Sequence, residues 1–521
     1  MTLPQGHELG WVRKSPDQTG GGTTMHWKHR LGRGWVLAAV LGLSVPLAAP
    51  AMADAQATRL GWTACPDDVV AGAAPRELQC AVVPVPLDYT DPGGVQINLM
   101  ISRLASTNPG KRRGVLILNP GGPGGSGLVL SAQLANKGLP TSVLDSYDLI
   151  GVDTRGVGRS APVSCAFTTT GPYLANIPPY AVDDAAVTAQ AAVAKRVAEQ
   201  CTANDRDNRL RHLTTANNAR DMDRIRAALG ERKTSFFGLS YGSALGAAYA
   251  SMFPERSDRI VLDSNVGDTH LDHDGMRRYA LGMEQTFPDF AEWAAERHGA
   301  YGLGRTPAQV RRTYFEIAEK LDKQPVDGLD GSLFRLNLFG NLFNESLYAK
   351  TAQLWQILRQ DSPSAPGLRA NTKTELLPTD NFLTVFLAVT CNDVEWPTDI
   401  DTYRRAVAED RQRYPLFGAS AANITPCAYW PHRPAEPPVP VNDKGPRNVL
   451  ILQNQHDVPT PHRGGELLRE KFAQRSRMVS VEGSGHGVYV VGGNACALNV
   501  TTTYLVDGSL PRDQRCKASP E

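Results

Sequence analysis

Residues Thr234–Phe253 read TSFFGLSYGSALGAAYASMF. The opening TSFFG is short, apolar and rich in residues that suit a buried strand, whereas Ala244–Phe253 has the small and apolar texture of a buried helix. Between them lies Gly238-Leu239-Ser240-Tyr241-Gly242, a G-x-S-x-G pentapeptide. Alone, such a pentapeptide is weak evidence in a glycine-rich chain. Between a strand and a helix it describes a sharp turn that leaves the serine hydroxyl exposed. Side chains at Gly238 and Gly242 would collide with the neighbouring strand and helix, and the helix N-terminus aims N–H groups at developing negative charge. The plainer reading is a serine that caps an ordinary helix.

Outward from this turn the same texture recurs. Val115–Asn119 (VLILN), Tyr147–Asp153 (YDLIGVD) and Arg259–Asp263 (RIVLD) are further apolar strand candidates, and Ala216–Leu229 has helical spacing that stops at Gly230. Cys80–Tyr89 and Val95–Leu104 alternate around Asp91-Pro92-Gly93-Gly94, which predicts an entry hairpin. From about residue 268 to 435 the chain turns helical and aromatic, as in Met283–His298 and Tyr403–Pro415. Strand texture returns at Asn448–Gln453 (NVLILQ) and Arg477–Gly483 (RMVSVEG), after the Pro-rich return Pro431–Pro440. The order predicts an α/β protein: a mostly parallel sheet with helices on both faces, interrupted by a helical cap. The expected division is 1–53 as extension and signal, 54–267 as first core part, 268–440 as cap and 441–521 as second core part.

A serine nucleophile needs an oxyanion site, a base and an acid that orients the base. Asn119–Gly127 (NPGGPGGSG) follows the first core strand, and its glycines let backbone N–H groups approach a carbonyl. Gly121, Gly122 and Tyr241, the residue after the serine, are the expected donors. A phosphate-cradling loop is the rival, but no Lys-Ser/Thr follows and the G-x-G-x-x-G register fails. His486, in GSGHG after the last strand, is the expected base; His456 is its competitor. Asp457, after NVLILQ, is the expected acid, with Asp263 at the end of its own strand as alternative and a simple turn aspartate as the plain reading. The order Ser240, Asp457, His486 is the one that strand–elbow–helix hydrolases use. Asp153–Ser160 (DTRGVGRS) is read as architectural, tying loops near the site.

Composition narrows the partners. Of 521 residues 41% are hydrophobic, and 54 Lys+Arg against 53 Asp+Glu leave a net charge of +1. No basic footprint for nucleic acid and no polybasic patch for a membrane surface follow from that balance. Eight cysteines contain no CxxC pair, so a metal centre has little support. They fall into four sequential pairs, which suggests four disulfides in an oxidising compartment, with connectivity left open. His26–Arg33 is basic, Trp35–Leu47 is a short apolar run broken by Pro46, and Ala51-Met52-Ala53 is a small-x-small cleavage pattern. An export signal with mature start near Asp54, its own start at Met25, is expected; a membrane anchor is the alternative.

Together, NPGGPGGSG, DTRGVGRSAPVSC, the helix ending in IRAALGERK, FGLSYGSALGAAYASMFPERSDRIVLDS, TCNDVEWP and DVPTP…GSGHG resemble the secreted tripeptidyl aminopeptidases of bacteria. These belong to the proline-iminopeptidase-like branch of the α/β-hydrolase fold, and the resemblance runs from about Trp62 to Cys516. It implies release of short peptides, typically tripeptides, from a free N-terminus beneath a helical cap, with Ser240, Asp457 and His486 as triad. No cofactor and no metal are implied, nor stable membrane insertion once the signal is cleaved. Two positions depart from the family pattern. Thr390 stands before Cys391 where an acidic residue is expected, so Asp393 and Glu395 are the expected holders of the substrate ammonium. His456 beside Asp457 is the other. A secreted esterase or amidase on small acyl substrates shares this machinery, and an inactive hydrolase used as a binding module is the reading from another class.

Overall fold

The computed structural model describes residues 60–360 and 378–518. The expected signal segment lies outside the described residues. Ten strands form one sheet: β1 (Thr63–Ala64), β2 (Gln79–Pro86), β3 (Gln96–Leu104), β4 (Gly114–Asn119), β5 (Tyr147–Val152), β6 (Thr234–Leu239), β7 (Ser257–Asp263), β8 (Val449–His456), β9 (Ser476–Ser484) and β10 (Gln514–Cys516). Their spatial order is β1-β2-β3-β5-β4-β6-β7-β8-β9-β10. The first three pairings are antiparallel, and all those from β5 to β10 are parallel. The β2–β3 pair is the hairpin expected from the Asp91–Gly94 turn, which closes by Gly94 N–H donating to Asp91 O at 3.0 Å.

The apolar runs are continuous because both faces of the central strands are covered. In β4, Val115 and Ile117 join one buried cluster while Leu116 and Leu118 join another on the opposite face. In β8, Val449 and Ile451 divide from Leu450 and Leu452 in the same way. Helices Thr215–Ala228 and Tyr241–Met252 contribute to the first cluster, and Ala495–Asp507 to the second.

Between β7 and β8 the chain forms the helical stretch expected from its texture. Helices His273–Glu296, Pro307–Lys323, Gly331–Asn341 and Tyr348–Leu358 share an aromatic core of their own, with Phe287, Phe290, Tyr314, Phe334 and Trp355 all buried. Helix Asp380–Asp393 instead sends Leu383, Phe386 and Leu387 into the main core. The β5–β6 connection is longer than one crossover helix requires. Its helix Asp184–Asn204 places Val187 and Ala191 in a cluster with Tyr403 and Val407 of helix Ile400–Arg413. Residues before and after β7 therefore share an apolar cluster.

The cysteines pair sequentially, Cys65–Cys80, Cys165–Cys201, Cys391–Cys427 and Cys496–Cys516, and none is left free. Among the described residues no helix is long and apolar enough to cross a membrane.

Candidate active site

Ser240 sits where β6 ends and helix Tyr241–Met252 begins, with φ 62° and ψ −123°. That conformation costs a non-glycine residue on the order of 1–3 kcal/mol and persists only where its surroundings over-determine it. They do so here. A Cβ on Gly238 would lie 2.1 Å from Gly242 O, and one on Gly242 would lie 2.8 Å from Asn119 O. Ser240 N–H donates to Asp263 O at 2.9 Å, and Ser243 N–H donates to Ser240 O at 2.8 Å. The serine is thus held between strand and helix by contacts only glycine permits.

The glycine loop after β4 lies against this elbow. A Cβ on Gly121 (φ +91°) would approach Leu239 O to 2.4 Å and Ser240 Cβ to 2.8 Å. Gly121 N–H, one of the three expected oxyanion donors, is turned to Asn119 Oδ1 at 3.0 Å instead. Gly122 and Tyr241 remain as candidate donors, the latter in the first helical turn, where N–H groups have no intrahelical acceptor. Asp153 braces the loop: it accepts from Ser126 Oγ at 2.6 Å and Gly127 N at 3.1 Å, and its second oxygen accepts from Arg159 N at 3.0 Å. Arg155 is fully buried and binds Asp221 through Nε and Nη2, each at 2.7 Å, with further donations to the carbonyls of Pro86, Leu87 and His212. Both residues are architectural, as their sequence position suggested.

His486 lies between Gly485 and Gly487, which adopt φ +104° and +101°. Its Nδ1 meets Asp457 Oδ1 at 3.0 Å and Oδ2 at 3.2 Å, and Thr460 Oγ1 at 3.2 Å. Asp457 is wholly buried and also accepts Thr460 N–H at 3.1 Å. Burial opposes the charged imidazole, but the carboxylates of Asp457 and Asp263 outweigh it, and the His486 pKa stands above its ordinary value. A cap residue reaches this loop too: His486 N–H donates to Phe343 O at 2.8 Å, and the two rings are 5.2 Å apart. Ser240 and His486 line one cavity of about 850 Å³ without a hydrogen bond between them.

The cavity wall is mainly apolar. Leu174 and Ile177 come from the β5–β6 connection, Leu336, Phe339 and Phe343 from the cap, and Phe382 and Phe386 from the helix beneath it. The structure does not bring Asp393 and Glu395 to this wall. Asp393 is buried at the start of helix Thr215–Ala228, where Thr215 N and Oγ1 donate to its two oxygens at 2.8 and 2.6 Å. Burial lifts its pKa to about 7. Glu395 is exposed, two residues beyond the end of helix Asp380–Asp393. The physical reason is helix direction: Phe382 and Phe386 face the cavity, and by its last turn the helix has passed over to Thr215. The carboxylate on the cavity wall among the described residues is Asp327, in the turn between Val326 and Leu329.

Of the two alternatives, His456 points away to Asp289 of helix His273–Glu296 at 2.7 Å, and that hydrogen bond raises its pKa. Asp263 is buried close to His486, but its oxygens accept the N–H groups of Val488 and Tyr489. Thr460 was not singled out from the sequence, although its place three residues after Asp457 in DVPT is the spacing at which an aspartate caps a turn. Phe343 and Asp327 carry no local signal, because only the packing of the cap brings them to the site. Among the described residues no cluster of histidine, cysteine and carboxylate side chains has the makings of a metal site.

Residues 414–516 match the family model described as TAP-like protein. The tripeptidyl aminopeptidase of Streptomyces lividans is 34% identical over 491 residues, which covers 89% of this chain and 88% of that one. Serine protease Hip1 of Mycobacterium tuberculosis is 29% identical over 478 residues, 86% of this chain and 89% of that one. Carboxylesterase B of the same organism is 29% identical over 503 residues, 90% of this chain and 94% of that one. The mixed sheet with its serine elbow is the α/β-hydrolase fold, and with relatives aligned along nearly its whole length the chain belongs to the tripeptidyl aminopeptidase family of serine peptidases.

Proposed function

We propose that this chain is an exported serine exopeptidase that releases short peptides, tripeptides foremost, from free N-termini. The observation that carries the reading is the buried Asp457, 3.0 Å from Nδ1 of a histidine that shares one cavity with the elbow serine. In this reading Ser240 Oγ attacks the scissile carbonyl while His486 Nε2 takes its proton. Asp457 keeps Nδ1 protonated and stabilises the imidazolium. The oxyanion is received by the N–H groups of Gly122 and Tyr241. His486 then protonates the departing amine, and a water deprotonated by the same ring cleaves the acyl-enzyme.

Cavity size supports a short peptide, since about 850 Å³ lies in the upper range for sites that enclose a small ligand. Its apolar wall favours bulky uncharged side chains, and Asp327 offers the substrate ammonium a counter-charge. Four disulfides support export, because such bonds persist in oxidising compartments. The division into a core and a cap over 268–440 remains the reading that best accounts for access to the serine.

A second reading has an observation of its own. Asp393 and Glu395 are absent from a largely apolar wall, which suits a small-acyl esterase, and one relative is named as a carboxylesterase. Chromogenic amides with one-, two- and three-residue acyl groups, each with free and acetylated N-terminus, together with a simple ester, separate the two. Cleavage of the free tripeptide amide that acetylation abolishes supports the exopeptidase; ester cleavage alone supports the esterase. A folded Ser240→Ala variant with undiminished turnover would overturn both.

A further inference from the structure

Asp263 closes β7, is fully buried and does not itself line the cavity. Its Oδ1 and Oδ2 accept Val488 N–H at 2.9 and 3.1 Å, and Oδ2 accepts Tyr489 N–H at 2.7 Å. The next residue continues the pattern: Ser264 Oγ accepts Gly487 N–H at 2.9 Å and donates to Asp263 Oδ1 at 3.2 Å. The three backbone donors that directly follow His486 are therefore all held by two adjacent side chains at the end of β7. The backbone is strained on both sides of this clamp, with φ +54° at Ser264 and +66° at the β-branched Val490. Such conformations persist where the surroundings over-determine them, and they gather at functional sites.

We propose that Asp263 and Ser264 are positioning residues for His486: together they fix the loop that carries the imidazole, and Asp263 adds a second negative charge behind it. The inference rests on the reading of His486 as general base. The ionisable groups that face His486 are Asp457, in the turn after β8, and Asp263, at the end of β7; the one that faces Asp263 is His486. Burial lifts the Asp263 carboxyl to about 7, yet both of its oxygens accept hydrogen bonds, a role that suits the ionised form.

The two arms of the clamp are separable. Asp263→Asn removes the charge and turns one acceptor into a donor that faces a backbone N–H. Ser264→Ala releases Gly487 N–H and leaves the charge in place. For Asp263→Asn, kcat is expected to fall roughly tenfold to a hundredfold, as for a base misplaced by a fraction of an ångström. KM stays within about twofold, because no substrate contact is lost. The acid limb of the kcat/KM profile moves down by about half a pH unit or more, since removal of a nearby negative charge makes the imidazolium easier to deprotonate. For Ser264→Ala, kcat falls while the limb stays in place. A merely structural role would lower the melting temperature of both variants and move neither limb.

An Asp263→Asn enzyme that folds and keeps both its limb and its kcat overturns the proposal. If that variant does not fold, Ser264→Ala decides, and undiminished kcat there overturns it equally. His486→Ala in the same assay separates the two levels. If it stays active, the general-base reading falls; if it is inactive while both clamp variants behave as the parent, only the clamp falls.

Discussion

Asp457→Asn is the substitution whose cost follows most directly from the geometry. The two side chains have nearly the same shape, so the buried site keeps its packing and only charge and proton pattern change. Asp457 lies 3.0 and 3.2 Å from His486 Nδ1 and accepts Thr460 N–H at 3.1 Å. An asparagine cannot satisfy all three of these contacts. If its oxygen takes the Oδ1 place, it still accepts Thr460 N–H and Nδ1–H, but its amide then stands in the Oδ2 place, 3.2 Å from Nδ1, donor to donor. If its amide faces the ring, Nδ1 must accept and the proton moves to Nε2, where it blocks removal of the serine proton. The charge is lost in either case. Two unit charges about 3 Å apart at an effective dielectric of about 20 interact by about 5 kcal/mol, and this interaction is made in full only when the imidazolium forms. At about 1.4 kcal/mol per decade, kcat/KM on the best peptide amide falls by roughly 10³- to 10⁴-fold. The pH profile moves as well. The His486 pKa stands above its ordinary value because of Asp457 and, to a lesser degree, Asp263, so activity rises as pH climbs through that raised value; in the variant the limb shifts to lower pH. Initial-rate kinetics from pH 5 to 9, with a thermal melt to verify folding, make the measurement. A folded variant that retains more than about a tenth of the parental kcat/KM would refute the reasoning, because the buried charge would then contribute less than about 1.4 kcal/mol to the transition state.

Other expectations are as direct. In Gly238→Ala the new Cβ would meet Gly242 O at 2.1 Å, so the elbow must open by about an ångström and kcat should fall on the order of a hundredfold, read by active-site titration with a fluorophosphonate as well as by turnover. Asp327→Asn should raise KM for free-amine peptides by roughly tenfold and leave acetylated substrates and esters unchanged, whereas Glu395→Gln should alter neither, which steady-state kinetics on the matched substrate set would read. Asp393, lifted to about 7 by burial, binds its proton more tightly folded than unfolded, so its contribution to stability is present below pH 4 and is lost as pH rises toward 7. Melts across that range should therefore show Asp393→Asn gaining on the parent as pH rises. Removal of the Cys165–Cys201 bridge, which closes a separation of 36 residues beside the cavity-lining Thr169–Ile177 segment, should cost about 4 kcal/mol by loop entropy and lower both the melting temperature and peptide affinity.

The core was legible because its signals are local. Strands β4 to β8 run through the covered middle of the sheet, so each shows a stretch of consecutive apolar residues, and the sharp elbow shows as glycine two residues to either side of Ser240. Asp457 and His486 follow β8 and β9 at positions that chain order alone suggests. The cap is different. Its helices read as helices, but which of their faces meets the serine depends on packing against the β5–β6 connection, and no periodicity encodes that.

Asp393 shows the limit most clearly. From the sequence it is a carboxylate beside a cap cysteine, and an ammonium anchor was a sound expectation. In the structure the helix that bears it turns Phe382 and Phe386 to the cavity and delivers Asp393, a few turns later, to Thr215 at the start of helix Thr215–Ala228. Gly121 is a smaller instance: its place in the loop was right, but the Asn119 side chain takes the N–H that was expected to face substrate. By itself the sequence determined the succession of strands and helices, the elbow and the identity of the acid and base candidates, because each rests on contacts between residues close in the chain or on burial that composition records. Only the tertiary structure decided the wall of the cavity, the carboxylate on it and the clamp behind His486, because those depend on how segments more than a hundred residues apart are turned toward one another.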